Sequence, residues 1–144
     1  MSEATELHVD AVSTVRNFLK LLELGDVDGA FALVDPDIEW RNTTLPTVRG
    51  ADRARKAFRS MDRYDMSFAV EIHHIAGEGG TGERDVVLTE RTDYLGKGTF
   101  KVGFWVCGTF ELRRGKIVLW HDHFSWIDLL RGTSVGALSA LRRR

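Results

Sequence analysis

One cysteine cannot close an intrachain disulfide, so Cys107 excludes the cross-linked frameworks of small secreted domains. No apolar run reaches membrane-spanning length, and residues 1–10 are mixed and acidic. Neither a transmembrane anchor nor a signal peptide is expected, which predicts a soluble, cytoplasmic chain that does not engage a membrane. An excess of either charge is missing too: 20 Lys and Arg stand against 21 Asp and Glu. A dedicated binder of nucleic acid or of acidic membranes would carry a clear basic surplus. Internal repeats and linkers are also absent. The biased stretch Gly77-Glu78-Gly79-Gly80-Thr81-Gly82 reads as a hairpin loop, and it lacks the strand-turn-helix context of a dinucleotide fingerprint. What remains is 144 residues, 43% hydrophobic and 28% charged. That predicts one globular domain over residues 1–144, with room for one core and one pocket, and a frayed basic tail at 142–144.

The first part of the chain is patterned for helices. Over residues 6–24, Val12, Val15, Phe18, Leu19 and Leu22 recur at intervals of three and four, one buried stripe that Gly25 ends. Asp26 suits the N-cap of a short helix reaching residue 34, with a turn at Pro36. A third helix is expected over 51–61, with Ala54, Ala57, Phe58 and Met61 inward and Arg53, Arg55, Lys56 and Arg59 solvated. The rest reads as strand, at 38–42, 67–75, 85–94, 99–112 and 116–124, with a tight connection at Arg113-Arg114-Gly115. A last helix fits 126–141. The pattern predicts an α+β fold: a strongly bent, mostly antiparallel sheet with helices on its concave face, enclosing a deep cone.

The informative residues are charges inside otherwise apolar strands. Alternation puts Val87, Thr89, Arg91 and Asp93 on one face, and Val118, Trp120, Asp122 and Phe124 on one face of a later strand. It also groups Ile38, Trp40 and Asn42. If the three faces converge, an apolar cavity holds Arg91, Asp93, Asp122 and Asn42; if they do not, Arg91 and Asp93 are a surface ion pair of little energetic weight. In the convergent case, two ionised carboxylates on one guanidinium carry a net negative charge that an apolar pocket disfavours. Keeping one proton makes the trio neutral and divides the carboxyls into an acid and a base. A water on the ionised group is then a nucleophile in waiting, and a substrate oxygen on the protonated group a leaving group, which suits one-step opening of a strained, uncharged electrophile.

These segments resemble the limonene-1,2-epoxide hydrolases. Thr89-Glu90-Arg91-Thr92-Asp93 is similar to that family's Arg-x-Asp strand, and Trp120-His121-Asp122-His123-Phe124 to its Trp-x-Asp-x-Phe strand. Trp40-Arg41-Asn42, followed by Leu45-Pro46 and Arg49-Gly50, resembles its Tyr-x-Asn segment. Phe104-Trp105-Val106-Cys107-Gly108 looks like a strand of its mycobacterial branch. The resemblance implies the cone fold of the nuclear-transport-factor-2-like superfamily, a homodimer, and cofactor-free hydrolysis of a small apolar epoxide to a vicinal diol. Carried over, Asp122 is the base that activates water, Asn42 helps to hold that water, Asp93 is the acid and Arg91 bridges the carboxylates. Trp40 stands where the family has Tyr; an indole nitrogen only donates, so Trp40 would donate to the water's lone pair.

Rival functions on this fold remain open: an isomerase or cyclase of the ketosteroid-isomerase or polyketide-cyclase type, or a non-catalytic cone for a lipophilic ligand. His121, His123, His73 and His74 lack recognised metal-ligand spacing and read as outward strand residues, so no metal is expected. Cys107 reads as a buried, inert thiol. Phe104, Trp105, Trp120 and Phe124 are candidates for the core or for a pocket wall.

Overall fold

The computed structural model describes residues 2–78 and 83–131. Helix α1 (Ser2–Glu23) buries Ala11, Val15, Phe18, Leu19 and Leu22, the stripe its spacing predicts, while Val12 is half-buried. It closes in a Schellman arrangement: Gly25, at φ 77°, donates to Leu22, and Asp26 donates to Leu21. Asp26 then caps α2 (Val27–Phe31), its Oδ1 accepting from the Gly29 backbone at 2.9 Å.

Helix α2 stops three residues before the expected end. Val34 instead opens strand β1 (Val34–Asn42), and Pro36 lies inside that strand rather than at a turn. The pairing register shifts between Val34 and Glu39, so Pro36 occupies the stretch where no ladder bond asks for its missing N–H. A two-residue strand β2 (Val48–Arg49), too short to show a period, pairs antiparallel with β1. Helix α3 (Ala51–Arg63) buries Ala51, Ala54 and Phe58, whereas Ala57 is exposed. Arg59 and Arg55 reach back to Asp28 on α2, and Arg55 is half-buried above the Phe31 ring.

Four strands follow: β3 (Met66–Glu78), β4 (Arg84–Lys97), β5 (Phe100–Arg113) and β6 (Lys116–Phe124). The Arg114-Gly115 turn between β5 and β6 has φ of 51° and 78°, the two positive values that a hairpin matched to strand twist requires. The sheet order is β2-β1-β6-β5-β4-β3, antiparallel except for the β1–β6 pair. This is the expected α+β architecture: a curved, open, mostly antiparallel sheet with α1 and α3 packed on its concave face. The core between them holds Phe18, Phe31, Phe58, Phe110 and Trp120 in edge and stacked contacts. Among the described residues no helix is long and apolar enough to cross a membrane. The last helix begins within residues 126–131; its expected continuation, the 142–144 tail and most of the glycine-rich loop lie outside the described residues.

Candidate active site

One row of paired residues crosses four strands: Thr89 on β4 faces Gly108 on β5, Gly108 faces Asp122 on β6, and Asp122 faces Asn42 on β1. The parallel β1–β6 pair brings Asn42 to Asp122, and the Thr43 backbone N–H donates to the Asp122 carbonyl at 3.2 Å. On β4 the alternation holds: Val87, Thr89, Arg91 and Asp93 are all buried on the inner face. On β6 it fails at one point. The register shifts opposite Glu111 and Leu112, so Ile117 takes the buried position and Val118 is the extra, half-buried residue; Trp120 and Asp122 stay inside.

Arg91 is 0% exposed. Its Nε donates to Asp93 Oδ1 at 2.8 Å and its Nη2 to Asp93 Oδ2 at 3.1 Å. Nη2 also donates to Asp122 Oδ2 at 2.6 Å, and Nη1 to Thr89 Oγ1 at 3.0 Å. The Phe110 ring lies 5.9 Å from the guanidinium carbon. Burial works against the Arg91 charge, but Asp122 and Asp93 more than reverse that and hold it protonated. Both carboxyls are pushed above the ordinary range by burial, with Arg91 opposing the shift in each. Burial thus works against ionising both carboxyls at once beside a single fixed cation.

The two carboxyls face a cavity of about 270 Å³, with Arg91 behind them. Aromatic side chains Trp40, Phe58, Phe68, Phe104, Trp120 and Phe124 make up much of its wall; Asn42, Asp93 and Asp122 are its polar side chains apart from the indoles. Trp105, expected in either core or wall, is in neither. It is 48% exposed on the outer face, where its Nε1 donates to Glu90, because β5 alternation turns it away from Phe104 and Val106. Trp40 stacks on Trp120 (centroids 5.0 Å, 17°) and on Phe58 (5.2 Å, 29°). Its Nε1 is buried with no hydrogen-bond partner among the described residues.

Thr89 and Gly108 were not recognised as site residues from the sequence, and Trp120, read as core or pocket wall, was not given a bond to the carboxyls. Thr89 holds the far arm of Arg91 and could have been found, since it shares the face of Arg91 and Asp93. Gly108 lies under the guanidinium, where any Cβ would collide with Arg91 Nη1. Trp120 Nε1 donates to Asp122 Oδ1 at 2.8 Å. The last two depend on cross-strand register and side-chain rotamer, which carry no one-dimensional signal.

Elsewhere, His73 bonds Thr92 and His74 bonds Glu90. The His121 and His123 rings pack 4.0 Å apart, and burial, His123 and Arg41 all push His121 downward. Among the described residues no group of three or more His, Cys, Asp or Glu is arranged to hold a metal. Cys107 is half-buried rather than buried, because it belongs to the outer-facing set of β5 opposite Glu90 and His123.

Residues 9–135 match the model of the limonene-1,2-epoxide hydrolase catalytic domain. The chain is 37% identical over 125 residues to epoxide hydrolase EphG of Mycobacterium tuberculosis, covering 87% of this chain and 80% of that one. It superposes on the structure of a limonene-epoxide-hydrolase-like epoxide hydrolase of M. tuberculosis with a TM-score of 0.86 and 34% identity, covering 95% of this chain and 98% of the other. An NTF2-like protein of unknown function from Burkholderia pseudomallei aligns with a TM-score of 0.68 at 20% identity, covering 87% of this chain and 98% of that one, a likeness of fold alone.

Proposed function

The chain belongs to the limonene-1,2-epoxide hydrolase family and is an epoxide hydrolase of that kind, and from this premise we propose its substrate class and mechanism. The substrate is a small, largely apolar epoxide (terpene-like, cyclic or lipid), which becomes a vicinal diol in one step without a cofactor. Asp122 takes a proton from a water that Asn42 and Trp40 hold. The water oxygen bonds to one epoxide carbon as that carbon's bond to the ring oxygen breaks. Asp93 gives its proton to the departing oxygen, and Arg91 keeps both carboxyls in place. The proton lost by Asp93 is matched by the one gained by Asp122, so the trio's net charge never changes inside the apolar cavity. Exchange with water after the diol leaves returns the pair to its starting state.

The observation that carries this reading is a single buried guanidinium bonded to two carboxyls at the wall of an apolar cavity. Trp40 lines the cavity together with Asn42 and Asp122, and a donor-only group there would leave the water's protons for Asp122 and Asn42. An isomerase or cyclase would need one carboxylate and an oxyanion donor such as a phenol. Here Tyr94 bonds Glu71 and Tyr64 is 60% exposed, and neither lines the cavity. The reading includes a homodimer through the outer sheet face, where Leu88 and Trp105 stand exposed.

Asp122→Asn should cut diol formation about 10³-fold with the fold retained. In oxygen-18 water, the first turnover should label the diol. Label appearing first in the protein would reveal a covalent ester and refute the one-step scheme; an Asp122→Asn enzyme at full activity would remove the base. A panel of cyclic and long-chain epoxides that gives no diol, with a ketone enolised or a lipophilic amide merely bound, would favour the rival functions.

A further inference from the structure

Arg91 grips Asp93 through both Nε and Nη2 but reaches Asp122 through Nη2 alone, so left to itself it would favour the ionised form of Asp93. One further donor works against that bias. Trp120 Nε1 donates to Asp122 Oδ1, whereas the side-chain partners of Asp93 among the described residues all belong to Arg91. An indole N–H is a donor only. It satisfies a lone pair of an ionised carboxylate, and it opposes any proton placed on the oxygen it faces.

We propose that Trp120 is the positioning residue that keeps Asp122 ionised and leaves the proton on Asp93, so that the indole assigns the base and acid roles. This inference rests on the acid–base reading of the trio given above. The donor is held firmly. Trp120 is 2% exposed, set edge-on to Phe18 (5.1 Å, 88°) and stacked between Trp40 and Phe110. With Arg91 on Oδ2 and Trp120 on Oδ1, the carboxylate plane of Asp122 is fixed at both ends.

The charges around Asp122 are few. Arg91 and Asp93 come from β4, and His123, exposed on the opposite face of β6, acts through the strand. Strand β5 contributes Gly108 and Val106, β1 contributes Trp40 and Asn42, and the helices α1 and α3 contribute Phe18 and Phe58, all uncharged. Replacing Trp120 alters none of these charges, so a change in titration reports the loss of the N–H.

The experiment titrates the aspartate carboxyl carbons of the folded protein by carbon-13 NMR, using Asp93→Asn and Asp122→Asn to assign the two signals. In the wild type, Asp122 should ionise first and Asp93 should carry the proton through the middle of the range; the reverse order overturns the proposal. Two replacements then remove the donor: Trp120→Phe, and 3-benzothienylalanine at position 120, which keeps the shape of the ring but has sulfur for N–H. In either folded variant the Asp122 signal and the acid limb of kcat/KM should move up by about one to two pH units. At neutral pH, kcat should fall roughly tenfold as the proton spreads over both carboxyls. A folded variant with an unmoved limb and an unmoved Asp122 signal refutes the role, and the shape-retaining residue separates it from mere packing. If the wild type opens no epoxide, it is the mechanism proposed above that fails; the order of ionisation still decides what Trp120 does.

Discussion

Gly108→Ala places one methyl group where the site has no room for it. An ideal Cβ there would stand 2.7 Å from Asp122 Oδ1 and 2.8 Å from Thr89 Oγ1, whereas ordinary contact begins at 3.4 Å, and it would overlap Arg91 Nη1 outright. Asp122 and Thr89 must therefore retreat by about 0.7 and 0.6 Å. Arg91 has no route to solvent, being 0% exposed, so the guanidinium shifts by more and loosens its bonds to both carboxyls. Overpacking of this kind costs about 1–3 kcal/mol, or roughly 3–10 °C in Tm for a chain of this size. A catalytic group displaced by about 1 Å loses about 10²-fold in rate. The assay is kcat for diol formation beside thermal melts. Gly103→Ala, on the same strand, is the control. Its Cβ would meet the Tyr94 ring at 2.8 Å, but that ring is half-buried and does not line the cavity, so kcat should hold. A folded Gly108→Ala enzyme within threefold of wild-type kcat would show that the guanidinium does not rest on this backbone.

Asp93→Asn should lower diol formation about 10²- to 10³-fold, since an amide is a poor proton donor. It should also alter stability in a way that depends on pH. Burial holds the Asp93 carboxyl above its ordinary value, so the stability gained from its bound proton is complete below about pH 3.9 and is lost as pH rises through the folded value. The amide removes that loss. Its Tm should exceed wild type above neutrality and converge towards pH 4; a constant gap from pH 4 to 9 would contradict the shift. Trp105→Glu should turn a dimer into a monomer in light scattering coupled to size exclusion, because it puts a charge on the exposed outer face; a monomeric wild type would end the dimer proposal.

Period-two alternation was enough to gather Thr89, Arg91 and Asp93, because β4 runs without a bulge through those positions, and enough to aim Asp122 inward. It misled at Val118, where an inserted residue resets the phase, and at Pro36, whose usual meaning as a turn was overridden by an unpaired stretch of strand. The aromatic residues show the other limit. Trp105 and Trp120 are alike in composition, yet one faces out and the other donates to Asp122. Burial alone could have been guessed for Trp120. The direction of its N–H could not, because it follows from rotamers set by Phe18, Phe110 and Trp40, which come together from three different elements. The elements themselves were legible wherever they ran long, and the two-residue β2 was not.

The parallel union of β1 with β6 has a consequence for how the molecule comes into being. β3 to β6 form a meander closed by short connections, and they can zip together soon after each is made. Strand β1 is synthesised early, yet in the sheet its partners are the tiny β2 and a strand some 80 residues downstream, with Asn42 matched to Asp122. Closing so large a loop is entropically slow, so β1 docks among the last events. A nascent chain thus carries its exposed Trp40 edge until β6 emerges, and the Asn42–Asp122 wall of the cavity is born at the same moment as the finished fold.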